Sequence, residues 1–239
     1  MPFTEHRLEF HESLEAIRQD VVRLGALTTE AIGRGTAALL DKDLQAAQSL
    51  IDDDDFLDAL SLQIEDDCYK LLALQNPIAG DLRFIICSIR CVNELERSAD
   101  LMVNVCKAAR RLYDVDLDPR VRGLIQSMGD EATRLTKAAI DAYVDSDAAL
   151  GAALDDMDSR LDDLQVKFVE ATLTSHQAEQ TDLRSAVQLA LIGRYYERIG
   201  DHAVNIGERV CFMVSGWLPE HTGAARLELR KRNLAGDEG

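Results

Sequence analysis

Apolar residues recur every three or four positions along most of this chain, the spacing that places them on one face of an α-helix. In the first half the pattern predicts three helices, over about residues 8–40, 44–74 and 78–112. Asn76-Pro77 separates the last two, because proline suits the first turn of a helix and disfavours helical backbone just before it. Beyond a turn at 114–119, the second half predicts helices to about residue 144, then over 148–173 and 178–214. The chain is therefore predicted to be all-α, with six long helices.

The two halves repeat each other in their polar residues as well as in their helices. Residues 81–105 align without gaps with residues 182–206, and eight of these 25 positions are identical. Ordinary residue frequencies would give about one or two identities. The break after the first helix also repeats, since Asp43 matches Asp147. We predict two pseudo-symmetric three-helix bundles, at 1–116 and 117–218, followed by a mobile tail at 219–239.

Each half carries two pairs of acidic residues spaced one helical turn apart, so that each pair projects from one helix face. The pairs are Asp54 with Asp58 and Glu96 with Asp100 in the first half, and Asp158 with Asp162 and Glu197 with Asp201 in the second. On the third helix of each half the acids lie on or beside an apolar stripe, which in the first half includes Ile86, Ile89 and Asn93. We expect this stripe to pack, which would bring four carboxylates together in each half.

Crowded carboxylates need a counter-charge, because their repulsion and lost hydration cost several kcal/mol. Nearby arginines could supply it: Arg83, Arg97, Arg184 and Arg198. A metal could also supply it, since carboxylates with the amides of Asn104 and Asn205 suit hard cations such as Mg²⁺, Mn²⁺, Ca²⁺ or ferric iron. The residues alone leave open arginine neutralisation, metal binding and docking on a basic partner surface.

Composition and charge narrow the classes of function. The net charge is −17, and such a field repels nucleic acid and attracts cations or basic surfaces. We find neither a signal peptide nor a long apolar run, and we expect a soluble, cytoplasmic protein. Five cysteines fit free thiols in a reducing compartment, and we expect Cys87 and Cys91 to be packing residues. His202 is interpreted as an ordinary helix residue. No catalytic motif nominates a nucleophile, so we predict that the chain is not an enzyme.

These motifs resemble the PhoU family, the phosphate-transport accessory proteins, from about residue 10 to residue 214. The resemblance rests on the paired acidic motifs, on the Pro-x-Ala-x-Asp-Leu-Arg entry to the third helix at 77–83, and on Glu-Arg-x-x-Asp followed by Asn in both halves. The second half departs from the pattern at Ala178, where the first half has Pro77. Lys107 also stands where the second half has Glu208. These departures put equal metal affinity of the two halves in doubt.

The resemblance implies a fold, a role and partners. It implies two antiparallel three-helix bundles, often in a homodimer, with multinuclear iron or another metal on the acidic motifs of some members. It implies a cytoplasmic, non-enzymatic negative regulator of phosphate uptake and phosphate-starvation signalling. Such a regulator links the ATPase of the phosphate ABC importer to a sensor histidine kinase, and it meets the membrane through these partners.

Two rival interpretations remain from the residues. The first is a metal-storage or metal-dependent helical protein that uses the paired carboxylates. The second is a purely structural helical scaffold, for which neutral replacements at the acids would affect stability alone. The adaptor interpretation predicts instead that these replacements abolish partner binding.

Overall fold

The computed structural model describes the backbone of residues 2–216 and the side chains of residues 8–216. This part of the chain forms six α-helices and no strand, as the apolar spacing predicts. The helices are α1 (Pro2–Leu40), α2 (Leu44–Gln75), α3 (Ala79–Arg111), α4 (Pro119–Asp145), α5 (Ala148–Gln177) and α6 (Leu183–Ser215). The tail predicted at 219–239 lies outside the described residues.

The same turn precedes the second helix of each half. Asp43 and Asp147 each accept hydrogen bonds from the backbone N–H groups two and three residues later, and so cap α2 and α5. The residue before each cap, Lys42 or Ser146, has left-handed backbone. An aspartate cap stabilises a helix by about 1 kcal/mol. The repeated break in the sequence is therefore a repeated capping turn.

The junction between α5 and α6 differs from the prediction. Helix α5 continues to Gln177, and α6 begins at Leu183, where the sequence predicted a start near residue 178. Asp182 caps α6 through the backbone N–H groups two and three residues on. The first half has Pro77 at its junction and the second has Ala178, so no proline limits α5.

Four helices form the centre of the molecule. Helix α1 packs on α3 and α4, and α6 also packs on α3 and α4, which closes a ring of four. Among the described residues α2 contacts only α1 and α3, whereas α5 contacts only α4 and α6. Each half is thus a three-helix bundle, and the ring joins the two. One continuous apolar core runs through both halves, including Leu24, Met102, Leu135 and Ile199.

Two buried tyrosines reach across the diagonals of this ring. The hydroxyl of Tyr143 on α4 lies 2.7 Å from that of Ser88 on α3. The hydroxyl of Tyr196 on α6 lies 2.7 Å from that of Thr36 on α1. A buried hydroxyl without a partner costs several kcal/mol. Each pair satisfies both of its hydroxyls and fixes how one bundle sits on the other.

Helix α3 exposes part of the stripe that the sequence assigned to packing. Ile86 and Asn93 are exposed and Ile89 is half-buried, whereas the neighbouring Ile85 and Val92 are fully buried. Because α3 contacts α1, α2 and α6, apolar residues surround most of its circumference, and the most regular row does not mark the core. The packing prediction is wrong at Ile86 and Asn93.

Candidate functional site on the acidic helix faces

Four predicted site residues of the first half come together between α2 and α3. We call Asp54, Asp58, Glu96 and Asp100 the first acidic cluster; Asp54 and Glu96 are partly buried and the other two are exposed. Burial, followed by repulsion from Asp58 and Asp100, raises the pKa of Asp54 to about 6. Burial and the charge of Asp100 also raise the pKa of Glu96. The four carboxylates therefore act on one another electrostatically.

The second half repeats the arrangement between α5 and α6. We call Asp158, Asp162, Glu197 and Asp201 the second acidic cluster. Asp158 is only 7% exposed, and burial, followed by repulsion from Asp162 and Asp201, raises its pKa to about 7. Its Oδ1 atom is buried without a hydrogen-bond partner in the described structure. The second cluster is therefore more enclosed than the first, and it contains an unsatisfied oxygen.

A glycine on α6 explains why Asp158 is so deeply buried. A Cβ atom at Gly200 would clash with Asp158 Oδ1, so this side chain uses the space that glycine leaves. In the same helix, Gly207 contacts Gly151 of α5 so closely that a Cβ at Gly151 would lie 2.8 Å from the Gly207 carbonyl oxygen. The residue of α3 that matches Gly200 is Ala99.

Arginine neutralises the clusters only in part. Within the described residues a single ion pair reaches either cluster, and it joins Arg194 to Glu197. Arg97, a predicted counter-charge, lies 4.0 Å from Glu94 rather than against the cluster. Its charge offsets only part of the upward shift in the pKa of Glu96. The Arg83 side chain donates to the Met213 carbonyl oxygen at 3.0 Å. The first acidic cluster thus has no ion pair within the described part of the chain.

Comparison with known proteins follows the same two-part division. The sequence model of the PhoU domain matches this chain twice, over residues 21–109 and 125–210. The chain belongs to the PhoU family. The resemblance drawn from the acidic motifs is thereby confirmed.

PhoU relatives align with this chain over most of their length. The "phosphate-specific transport system accessory protein PhoU homolog 1" of Mycobacterium tuberculosis is 35% identical over 214 residues, covering 89% of this chain and 96% of the relative. The crystal structure of PhoU from Pseudomonas aeruginosa matches with a TM-score of 0.82 at 28% identity, covering 87% of this chain and 100% of that one. The phosphate transport system regulatory protein PhoU from Streptococcus pneumoniae gives 0.81 at 26%, with 87% and 98% covered. The helical-bundle fold is confirmed.

In the part of the chain that the structure describes, no helix is both long and apolar enough to cross a bilayer.

The PhoU resemblance implies a metal, and the donor chemistry of the clusters fits a hard cation. Every donor is a carboxylate or amide oxygen, and Asp158 Oδ1 is a buried acceptor without a partner. Over residues 8–216, however, no three or more His, Cys, Asp or Glu side chains are placed so as to hold a metal ion. Asn205 donates its amide to Glu94 Oε2 at 3.3 Å, and Asn104 is half-buried on α3. Metal binding by these residues stays a prediction.

A buried polar contact between the halves was missed by the sequence reasoning. Glu94 of α3 accepts hydrogen bonds from the Nδ1 atom of His202 and from Asn205, both on α6. Burial alone would raise the pKa of Glu94, but these hydrogen bonds outweigh it and lower that pKa. Glu94 matches Tyr195 in the other half, and His202 matches Leu101. Comparison of the two halves therefore could not reveal this pair. His202 is a buried residue that joins the two bundles.

The cysteines behave as expected for packing residues. Cys87 and Cys91 are fully buried, with sulfurs 3.7 Å apart. All five cysteines are free thiols, and only Cys211 is partly exposed.

Proposed function

We propose that this protein is a non-enzymatic, cytoplasmic regulator of phosphate uptake and phosphate-starvation signalling. In this role it binds the ATPase of a phosphate ABC importer and a sensor histidine kinase, and it restrains both when phosphate is plentiful. Support comes from relatives of nearly equal length that are named as accessory and regulatory proteins of phosphate transport. The homodimer is part of the same proposal.

The first acidic cluster carries this proposal. Burial, followed by repulsion from its neighbouring carboxylates, raises the pKa of Asp54 to about 6, yet no cation of the described chain forms an ion pair with the cluster. A basic surface on a partner would supply the missing counter-charge, and charge complementarity across an interface sets the encounter rate and the choice of partner. The net charge of −17 attracts such a partner at longer range.

A second candidate function is the binding of a hard cation by the same clusters. The unpartnered Oδ1 of Asp158 favours it, because a cation would satisfy an oxygen that no protein group reaches. In that case the carboxylates of the two clusters would hold the ion, and the ion would supply positive charge without any proton transfer.

The experiment is a co-purification of the full-length tagged protein with the importer ATPase, at high and low phosphate, with and without EDTA. Neutralising the first acidic cluster by Asp→Asn and Glu→Gln changes should reduce recovery of the ATPase about tenfold or more, the size expected when interfacial charges lose their partners. Metal content of the same purified samples is measured by mass spectrometry.

A matched control neutralises four acids on the outer faces of α1 and α4, which removes the same charge elsewhere. These control residues are Glu12, Glu15, Asp130 and Asp141. An equal loss of ATPase with the control variant would contradict the docking role of the cluster. Net charge alone would then explain the loss. Loss of bound metal with ATPase recovery unchanged would favour the second candidate.

A further inference from the structure

Large apolar side chains are exposed along the outer junction of α2 and α3. Leu62 and Tyr69 of α2 are 67% and 53% exposed, and Ile86 of α3 is 37% exposed. Scattered apolar residues on a surface need no explanation. These three, however, line two adjoining cavities beside the first acidic cluster.

We call these two cavities together the α2–α3 groove. The first, of about 310 Å³, lies beside Leu62 and the second, of about 430 Å³, lies beside Tyr69 and Ile86. They share Glu65 and Asn93 in their walls, so they lie side by side along α2 and α3. From Asp58 to Tyr69 the groove follows α2 for about 16 Å, or about three turns of a helix.

Charge is distributed unevenly along the α2–α3 groove. Asp58, Glu65 and Glu96 line one end and its middle, and none of them has an ion pair within residues 8–216. Arg90 lines the other end, beside Tyr69. The groove therefore has an acidic end and an apolar end.

The second half repeats the apolar residues but only part of the charges, since Asp162 and Glu197 match Asp58 and Glu96. Val166, Leu173 and Val187 stand at the positions of Leu62, Tyr69 and Ile86, and all three are similarly exposed. The position of Glu65 is occupied there by Val169. In addition, Arg194 already pairs with Glu197. The second half is thus a comparison surface, with similar apolar residues, one acid fewer and Glu197 already paired.

We propose that the α2–α3 groove is the docking site for an amphipathic helix of a partner protein, with apolar residues on one face and Lys or Arg along its edge. The apolar face packs on Leu62, Tyr69 and Ile86, and the basic residues meet Asp58 and Glu96 at the acidic end. This inference rests on the adaptor role and names the surface through which that role is performed.

Charge complementarity selects this occupant. A helix laid in an apolar groove buries its apolar face, and cations on its edge neutralise carboxylates that lack partners. A second copy of this chain also carries a net charge of −17, so the long-range field opposes it at a groove that is already acidic.

The test measures binding of a fluorescent synthetic peptide to the full-length protein by anisotropy. The peptide is a helix of about five turns with Leu along one face and Lys along its edges, and a second peptide carries Glu in place of Lys. We expect the Lys peptide to bind, and the double change Leu62→Ser and Tyr69→Ser to weaken it about tenfold or more. The matched change Val166→Ser and Leu173→Ser should alter its affinity by no more than about twofold.

Several outcomes would overturn the proposal. Equal weakening by the two double changes, or equal binding of the Glu peptide, would mean that the groove does not select a basic helix. Analytical sedimentation of the proteins without peptide measures their oligomeric state. If Leu62→Ser with Tyr69→Ser converts a dimer into a monomer, the groove is a contact between copies. Circular dichroism verifies that both variants keep their helices, as expected for exposed side chains.

Failure of the groove can be distinguished from failure of the adaptor role. If the wild-type protein binds the Lys peptide through the groove but retains no importer ATPase, the groove stands and the proposed partner is wrong. If the ATPase is retained equally by wild type and by the Leu62→Ser, Tyr69→Ser variant, and the Lys peptide does not bind, the groove is refuted and the adaptor role stands.

Discussion

Asp54 and Asp158 occupy matching positions in the two halves, yet they differ in burial. Asp54 is partly exposed, whereas Asp158 is buried against Gly200. Burial raises the pKa of Asp158 to about 7, well above the value of about 3.9 for an unfolded chain. Between about pH 4 and pH 7 the folded protein therefore binds more protons here than the unfolded chain does. The contribution of Asp158 to stability is present at low pH and is lost as pH rises through about 7.

Asp158→Asn removes this titration. At pH 8 we expect the free energy of unfolding of the variant to exceed that of the wild type by about 1 kcal/mol or more. A shift of a single pKa unit already corresponds to a difference of about this size. The difference should shrink as pH falls to about 4, because the folded aspartate becomes protonated while the unfolded one nears its own pKa of about 3.9. Urea unfolding in EDTA over this pH range measures it, with Asp141→Asn, an exposed aspartate of α4, as the control. A difference that does not vary with pH would contradict the assignment.

At the scale of elements, the spacing of α5 and α6 is governed by glycine. A Cβ atom at Gly200 would clash with Asp158 and would lie 2.8 Å from Leu161. Gly193 is similar, since a Cβ there would lie 2.7 Å from the Phe168 ring. These glycines and Gly207 recur every seven residues along the face of α6 that meets α5, so α5 lies in a shallow channel on α6.

Gly200→Ala should therefore lower the free energy of unfolding by about 1–3 kcal/mol, the usual cost of overpacking. Alanine favours helix over glycine by about 1 kcal/mol, so the clash must exceed that gain. Gly33→Ala on α1 is the matched control, because no atom lies within 4 Å of the added methyl, and we expect it to stabilise by about 0.5–1 kcal/mol. Thermal unfolding of both variants checks the pair. Stabilisation by both changes would show that α5 can move away freely.

At the scale of the whole molecule, the two bundles share one core. Helices α1 and α3 bury apolar faces against α4 and α6, and Tyr143 and Tyr196 extend across the centre of the ring. Glu94 and His202 add a buried polar contact between the halves. Neither bundle can bury these faces by itself.

Separate expression of the predicted first repeat tests this dependence. We expect residues 1–116 alone to lack a cooperative thermal transition by circular dichroism, because its inner faces are exposed to water. The full chain should unfold in one transition. Mixing the fragment with residues 117–239 should restore helix content and cooperativity. Cooperative unfolding of residues 1–116 alone would instead establish them as an independent domain.

Prediction from the sequence succeeded where the signal is local or repeated. Helix spacing predicted all six helices, and the offset between the halves placed the eight acidic residues in two clusters. It was wrong about the start of α6, because that helix begins at Leu183, after the capping Asp182, rather than near Ala178. It was also wrong about the packing of Ile86 and Asn93, since a helix with three neighbours is apolar on several sides. The contact of Glu94 with His202 could not be predicted, because neither residue is repeated in the other half.

The sequence by itself determined the helical class, the twofold repeat and the acidic pairs, because these depend on spacing along one helix or on identity between the halves. Only the tertiary structure decided which face of α3 meets solvent, how deeply Asp158 is buried and where the α2–α3 groove opens. Those properties arise from how closely neighbouring helices approach each other. That approach depends on side-chain volumes at positions far apart in the chain, such as Gly151 and Gly207.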